Sequence, residues 1–279
     1  MAESELRGPL AKMRAALDGE QAQYQLRVGD EALDLNGLLG NTLKLTFLEQ
    51  INCLHCGRAT KKSFNQGYCF PCFKRLAQCD SCIVSPEKCH YFEGTCREPE
   101  WGDEHCMIDH IVYLANSSGV KVGITRHSQV PTRWIDQGAV AALPIYRVSN
   151  RLQSGLLETI YKAHVADKTS WQAMLKGSPD EVDLAARRDE LAAECANEVA
   201  MLQQRFGVQA LKAIDSVPPQ HIAYPVLEYP TKVKSMNFDK QAVVEGQLLG
   251  IKGQYLIFDT GVINIRKFGG YQVAFSSLE

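Results

Sequence analysis

The sequence predicts an α+β chain in which a cysteine-rich, zinc-ribbon-like segment and a mixed α/β unit are inserted into a small β-barrel or sandwich formed by both terminal regions. Three observations lead there. Strand-like alternation marks both ends of the chain, nine of the ten cysteines fall between Cys53 and Cys106, and a strand-turn-strand signal followed by helical patterning fills the middle. A length of 279 residues suits two domains, and 45% hydrophobic with 22% charged residues is ordinary globular composition.

Residues 1–50 come first. No run of about 18 apolar residues occurs, and the first twenty residues scatter their charges instead of placing a basic end before an apolar stretch, so the expectation is a cytoplasmic protein with no membrane partner. From Gln23, apolar positions alternate at Tyr24-Leu26-Val28, Leu33-Leu35 and Leu43-Leu45-Phe47, broken by Gly-Asp and Gly-Asn. That is the pattern of a β-meander.

Residues 51–109 are the cysteine-rich segment. Cys53-x2-Cys56-x12-Cys69-x2-Cys72 reads as two thiolate turns separated by one hairpin length. Each such turn points two sulfurs at one ion, and two turns complete a tetrahedral structural zinc site. A disulfide framework would fit an oxidising compartment better than a cytoplasmic chain. Cys79-x2-Cys82-x6-Cys89-x6-Cys96 follows, and the expectation is a second zinc held by these four, with Cys106 as the substitute for one of them and His90, His105 and His110 nearby. Both sites are fully coordinated by protein, which suits structural and not catalytic metal. Between Ile51 and Gln78, Arg58, Lys61, Lys62, Lys74 and Arg75 occur with no acid, interleaved with Phe64, Tyr68, Phe70 and Phe73. Such a mixture either neutralises a four-thiolate zinc centre or binds nucleic acid by charge and stacking.

Residues 110–176 open with "HIVYLANSSGVKVGITRHSQVPTRWIDQG", two apolar strands around a Ser-Gly turn, and continue with the helical "RLQSGLLETIYKAH". Residues 177–216 predict a long amphipathic helix, capped by Ser178 with Pro179 in its first turn and with Cys195 in its core stripe. Residues 217–279 begin with the extended, proline-rich "VPPQHIAYPVLEYP", taken as a linker, and end in short Gly-punctuated strands expected to pair with the N-terminal ones.

In order and spacing, residues 110–176 resemble the GIY-YIG nuclease superfamily. Ile111-Val112-Tyr113 stands at the first motif, Lys121-Val122-Gly123 at the second, Arg133 or Arg126 at the arginine position and Glu158 at the glutamate position. The resemblance implies a nuclease in which Tyr113 is the base or positions water, the arginine clamps a phosphate, and Glu158 holds a catalytic Mg2+. Gly123 and Thr125 would then lie against the substrate, with Lys61 and Lys62 as further contacts. Lys121 departs from the family, whose second motif carries a tyrosine. It reads either as a lysine that supports proton transfer at Tyr113 or as a surface strand residue in a decayed site. At longer range the zinc clusters, "CREPEW", "VGITR", "RWIDQGA" and "GIKGQYLIFD" look like a bacterial family filed as a domain of unknown function, which implies architecture and no activity.

Charge refines the choice. The chain is nearly neutral at −2, and only residues 111–180 are clearly positive, with 8 basic and 4 acidic side chains. The expected function is nucleic-acid binding, to DNA or RNA, with magnesium-dependent phosphodiester cleavage. The alternative is a non-catalytic zinc-stabilised module that binds nucleic acid or a protein partner.

Overall fold

The computed structural model describes residues 5–166 and 168–278. The chain opens with β1 (Leu6–Asp18), β2 (Gln21–Val28), β3 (Glu31–Asp34) and β4 (Thr42–Asn52), then enters the cysteine segment with β5 (Ala59–Thr60), α1 (Phe70–Arg75) and α2 (Pro99–His105). The middle unit comprises β6 (His110–Asn116), β7 (Val120–Arg126), α3 (Thr132–Asp136), β8 (Ala141–Val148) and α4 (Arg151–Tyr161). Next come α5 (Trp171–Leu175), α6 (Leu184–Glu194), α7 (Ala196–Phe206), β9 (Leu211–Ala213) and β10 (Gln220–His221). The chain returns through β11 (Val243–Lys252), β12 (Tyr255–Phe258), β13 (Gly261–Asn264) and β14 (Tyr271–Leu278).

Both terminal regions do pair, in one antiparallel nine-stranded sheet ordered β13-β12-β11-β4-β14-β1-β2-β3, with β5 on β4. Of the barrel or sandwich expected for the terminal strands, the barrel is not formed: β13 and β3 stand at the two ends of the order and do not pair with each other. Within the sheet, β1 changes neighbours. Leu6 to Pro9 pair with β14 while Leu10 to Asp18 pair with β2, and a bulge between Ala11 and Arg14 bends the strand. One strand thus serves two neighbours along its length, and the bulge turns the sheet between them.

The second sheet has five antiparallel strands, β10-β8-β6-β7 with β9 also on β8. Strand alternation sends Ile111, Tyr113 and Ala115 to one face, into the core shared with Leu10, Met13 and Leu26 of the large sheet. Val112, Leu114 and Val122 go to the other face, against Leu157, Leu184 and Leu191 of the helices. The molecule is therefore layered as sheet, sheet and helices, with α3 wedged between the sheets.

Two local readings need correction. The predicted single helix from Ser178 starts instead at Leu184, because the Asp183 carboxylate accepts from Ala185 and Ala186 N–H, both at 2.9 Å, and caps it there. It then breaks at Cys195, which is buried in the core as expected. The proline-rich 217–230 stretch is more than a linker: Gln220 and His221 pair with β8, and Ala223 bridges to Gln21. Among the described residues no helix is long and apolar enough to cross a membrane.

Candidate metal centre

The first quartet is built by the end of one strand and the start of one helix. β4 runs straight into Cys53, whose carbonyl accepts from Gly57 N–H at 2.8 Å and whose N–H donates to Arg58 at 2.9 Å, closing a tight turn that carries Cys56. Cys69 stands at the N-cap of α1 with a proline in the first turn, and Cys72 lies one turn on. The ligand sulfurs of Cys53, Cys56, Cys69 and Cys72 all lie within 4.8 Å of one another, with Cys56 and Cys69 3.7 Å apart. A Zn–S bond of about 2.3 Å in a tetrahedron places sulfurs roughly 3.8 Å apart, so the geometry is compatible with structural zinc.

Four thiols this close share their protons unequally. Burial raises Cys53, but N–H groups of Cys56, Cys69 and His55 and the Cys56 thiol together bring it down to about 6. Burial and the hydrogen bonds of its three neighbours push Cys72 up to about 12. One thiolate forms readily and suppresses the next, until a cation neutralises all four.

The second cysteine group differs from the expected one. Cys82, Cys89 and Cys96 line a common cavity with Cys106, whereas Cys79 packs with Cys53, Cys69, Cys72 and Leu76 of the first knuckle. Cys79, expected as a ligand beside Cys82, is thus packed against the first knuckle. Cys79 ends one 3-10 turn, Ala77–Cys79, and Cys82 lies in the next, Ser81–Ile83, with Asp80 extended between them. A C-x2-C spacing converges only when both cysteines share one turn. The arrangement was legible in part from the wider spacing Cys82-x6-Cys89-x6-Cys96-x9-Cys106.

The hairpin residues form a closed set. Tyr113 stands opposite Gly123 and Ala115 opposite Lys121, so all four share one face of the sheet with Thr125. Tyr113 is 0% exposed, and its hydroxyl donates to Gln137 Oε1 at 2.9 Å. Burial pushes its pKa up to about 12, against the lowering effect of Arg133 and with smaller effects from Glu158 and Asp136. Arg133 and Glu158 thus lie within the electrostatic neighbourhood of Tyr113. Gly123, expected to let a phosphate approach, is instead occupied from within: a Cβ there would lie 2.7 Å from the Tyr113 hydroxyl. Thr125 is likewise buried.

Lys121 is no surface residue either. It is 3% exposed, and its Nζ donates to Thr169 Oγ1 at 2.6 Å. Arg126 alternates to the opposite face, at the strand end paired with His110. Burial and then the charge of Arg151 lower its pKa, and Cys106 acts in the other direction. The arginine of the Tyr113 neighbourhood is therefore Arg133. Among the described residues, the groups whose ligand atoms already lie within 4.8 Å of one another are the first quartet and Asp80/Cys82/His90; Glu158 belongs to neither.

The "RWIDQGA" and "GIKGQYLIFD" stretches meet in the interior. Asp136 accepts from Gln254 Nε2 at 2.9 Å and pairs with Lys12, while Gln254 Oε1 accepts from Met13 N–H at 2.9 Å inside the β1 bulge. Asp136 and Gln254 thus join α3 to the large sheet. Lys61 and Lys62 are exposed on the first knuckle. There the Phe70 ring is 51% exposed and 5.4 Å from that of Phe64. Lys62 lies over Phe64 at 5.4 Å and Lys74 over Phe70 at 5.8 Å.

Residues 40–273 match the family described as "Protein of unknown function (DUF2797)", and the chain belongs to that family. Comparison with curated proteins and with solved structures gives no match.

Proposed function

We propose that this DUF2797 protein is a zinc-stabilised module that binds single-stranded nucleic acid on the face of its first knuckle, with the nuclease-like hairpin serving as scaffold. The observation that carries the reading is the exposed Phe70 ring beside Phe64, with Lys62 and Lys74 over the two rings. Arg58, Lys61 and Arg75 are exposed on the same knuckle, and no acidic residue occurs from Ile51 to Cys79. Bases stack on exposed rings while lysines and arginines neutralise phosphates, a combination that tolerates many sequences. Such a patch works on a protein of nearly neutral total charge, because screening confines each charge to its surroundings within about 10 Å at ordinary salt.

The scaffold half of the reading rests on burial. A base must reach water and substrate, and a tyrosine with a pKa near 12 and no exposed surface does neither at neutral pH. One observation favours the second reading, magnesium-dependent cleavage: Arg133 and Glu158 both act on Tyr113, as they would in a nuclease.

One experiment addresses both. Labelled single-stranded and duplex DNA and RNA are titrated with the full chain by fluorescence anisotropy at several salt concentrations, and the same mixtures are incubated with Mg2+ or Mn2+. Salt-sensitive binding to single strands, weakened about 5- to 150-fold in Phe70→Ala, is expected from a stacking contribution of about 1–3 kcal/mol per base. Absence of salt-sensitive binding, or binding indifferent to Phe70→Ala, removes the proposal and leaves a protein partner. Cleavage that disappears in Glu158→Ala would establish the second reading.

A further inference from the structure

Two sets of side chains between residues 80 and 106 compete as a second metal site, and their surroundings separate them. Asp80, Cys82 and His90 bring ligand atoms within 4.8 Å of one another. The Asp80 carboxylate is already engaged, however: it accepts from Ser81 N–H at 2.6 Å and pairs with Arg97 at 2.7 Å. His90 Nδ1 meets Thr95 Oγ1 at 2.7 Å. A cation there would have to displace a guanidinium already in place.

Cys82, Cys89, Cys96 and Cys106 all line one cavity of about 10 Å³, which they share with Asp80, His90, Tyr91 and Trp101. A void of that size admits about one water-sized body, and a water needs two to four polar partners. Four cysteines lining one void offer poor hydrogen bonds to water but good bonds to a soft cation.

Charge supplies an independent argument. Arg151 is anchored against this loop: its guanidinium donates to the carbonyls of Cys82 at 3.3 Å and Ile83 at 2.6 Å, and its backbone N–H donates to Cys106 at 2.8 Å. Arg126 lies close enough to be repelled by it. The nearby carboxylates Asp80 and Asp109 are held by Arg97 and Arg147. Four neutral thiols would add no counter-charge for the two half-buried guanidiniums. Four thiolates on one dication carry a net −2, which offsets them.

We propose that Cys82, Cys89, Cys96 and Cys106 hold a second structural zinc ion, with Cys79 outside its coordination sphere. Four protein thiolates close the site, so the ion has no open position for chemistry. What it holds is α4. The Pro86–Lys88 turn between the first two ligands packs against Gly155, where a Cβ would overlap the backbone of Pro86 and Glu87. Arg151, the first residue of α4, binds the loop on both sides of the cavity. The ion thereby fixes the helix that carries Glu158, and this inference is independent of the nucleic-acid reading.

The test is the metal content of the purified full chain. Two zinc ions per chain are expected in the wild type and in Cys79→Ser, against one in Cys89→Ser and Cys106→Ser. Because a ligand variant can fail to fold, the zinc-edge X-ray absorption of the wild type provides a second measurement, expected to show four sulfurs per zinc and no nitrogen or oxygen ligand. One zinc per chain after exposure to excess zinc, loss of an ion in Cys79→Ser with two retained in Cys106→Ser, a mixed ligand shell, or iron in place of zinc would each overturn the proposal.

Discussion

The two cysteine groups are near neighbours in sequence yet belong to different halves of the molecule. The first grows out of β4 and is tied to the large sheet: Asn52 N–H donates to Gly270 at 2.8 Å, and Ser63 Oγ donates to the Gly269 carbonyl at 2.9 Å. The second grows between two 3-10 turns and is tied to α4 through Arg151 and Gly155. In the first, sulfurs crowd within 4.8 Å and the exterior is exposed, basic and aromatic. In the second, Cys82, Cys89, Cys96 and Cys106 line a small void and Arg151 donates to the carbonyls beside it. One knuckle presents a surface and the other fastens a helix, so similar ligands can serve different ends according to what packs behind them.

The most severe way to probe that contrast is metal removal. A structural zinc contributes on the order of 10 kcal/mol or more to the folding of its own module. Chelation is therefore expected to open residues 53–79 to trypsin at the exposed Lys61 and Lys62, seen as new fragments by mass spectrometry. Unchanged fragments and an unchanged Tm would mean that the first knuckle does not depend on metal. A smaller effect is expected from Gly155→Ala, which forces α4 away from the Pro86–Lys88 turn at about 1–3 kcal/mol. Its Tm should fall, while hydrogen exchange increases in α4 and not in the first knuckle. Loosening of both regions together would break the division between them.

A pH experiment sharpens the contrast further. His110 adjoins the second group, and burial, helped by the charges of Arg151 and Arg126, lowers its pKa to about 4. The unfolded chain binds this proton below about 6.5 and the folded chain only below about 4, so stability should decline as pH falls through that window. The slope of denaturation free energy between pH 6.5 and 5 should flatten in His110→Phe, whatever the variant's absolute stability; an unchanged slope would assign it to other groups. The smallest stability effect is expected for Phe70→Ala, within about 0.5 kcal/mol, because the ring is largely exposed. A large loss of Tm there would make Phe70 a packing residue and undo the contrast between surface and fastener.

The sequence made legible whatever depended on local spacing. The Cys53 to Cys72 quartet, the pairing of the terminal strands and the core position of Cys195 all follow from period or turn geometry. What escaped depended on orientation between elements. Cys79 and Cys82 share a knuckle spacing but sit on separate turns. Lys121 alternates like an exposed residue and becomes buried because the segment around Ala166 and Thr169 lies across the strand. Gly123 has the letter of a ligand-contact glycine, yet the hairpin register puts Tyr113 over it. The register was not readable from one strand, and neither was the closure of the site.

The placement of β14 between β4 and β1 governs the order in which the molecule can assemble. During synthesis the β1 to β3 ribbon and the first knuckle emerge early, with the β1 and β4 edges unpaired until residues 271–278 arrive. Both cysteine groups are complete in sequence long before then, whereas the large sheet must wait for its most distant partner in sequence. A nascent chain stalled before β14 would carry both cysteine groups on an unfinished sheet whose open edges invite pairing with other chains.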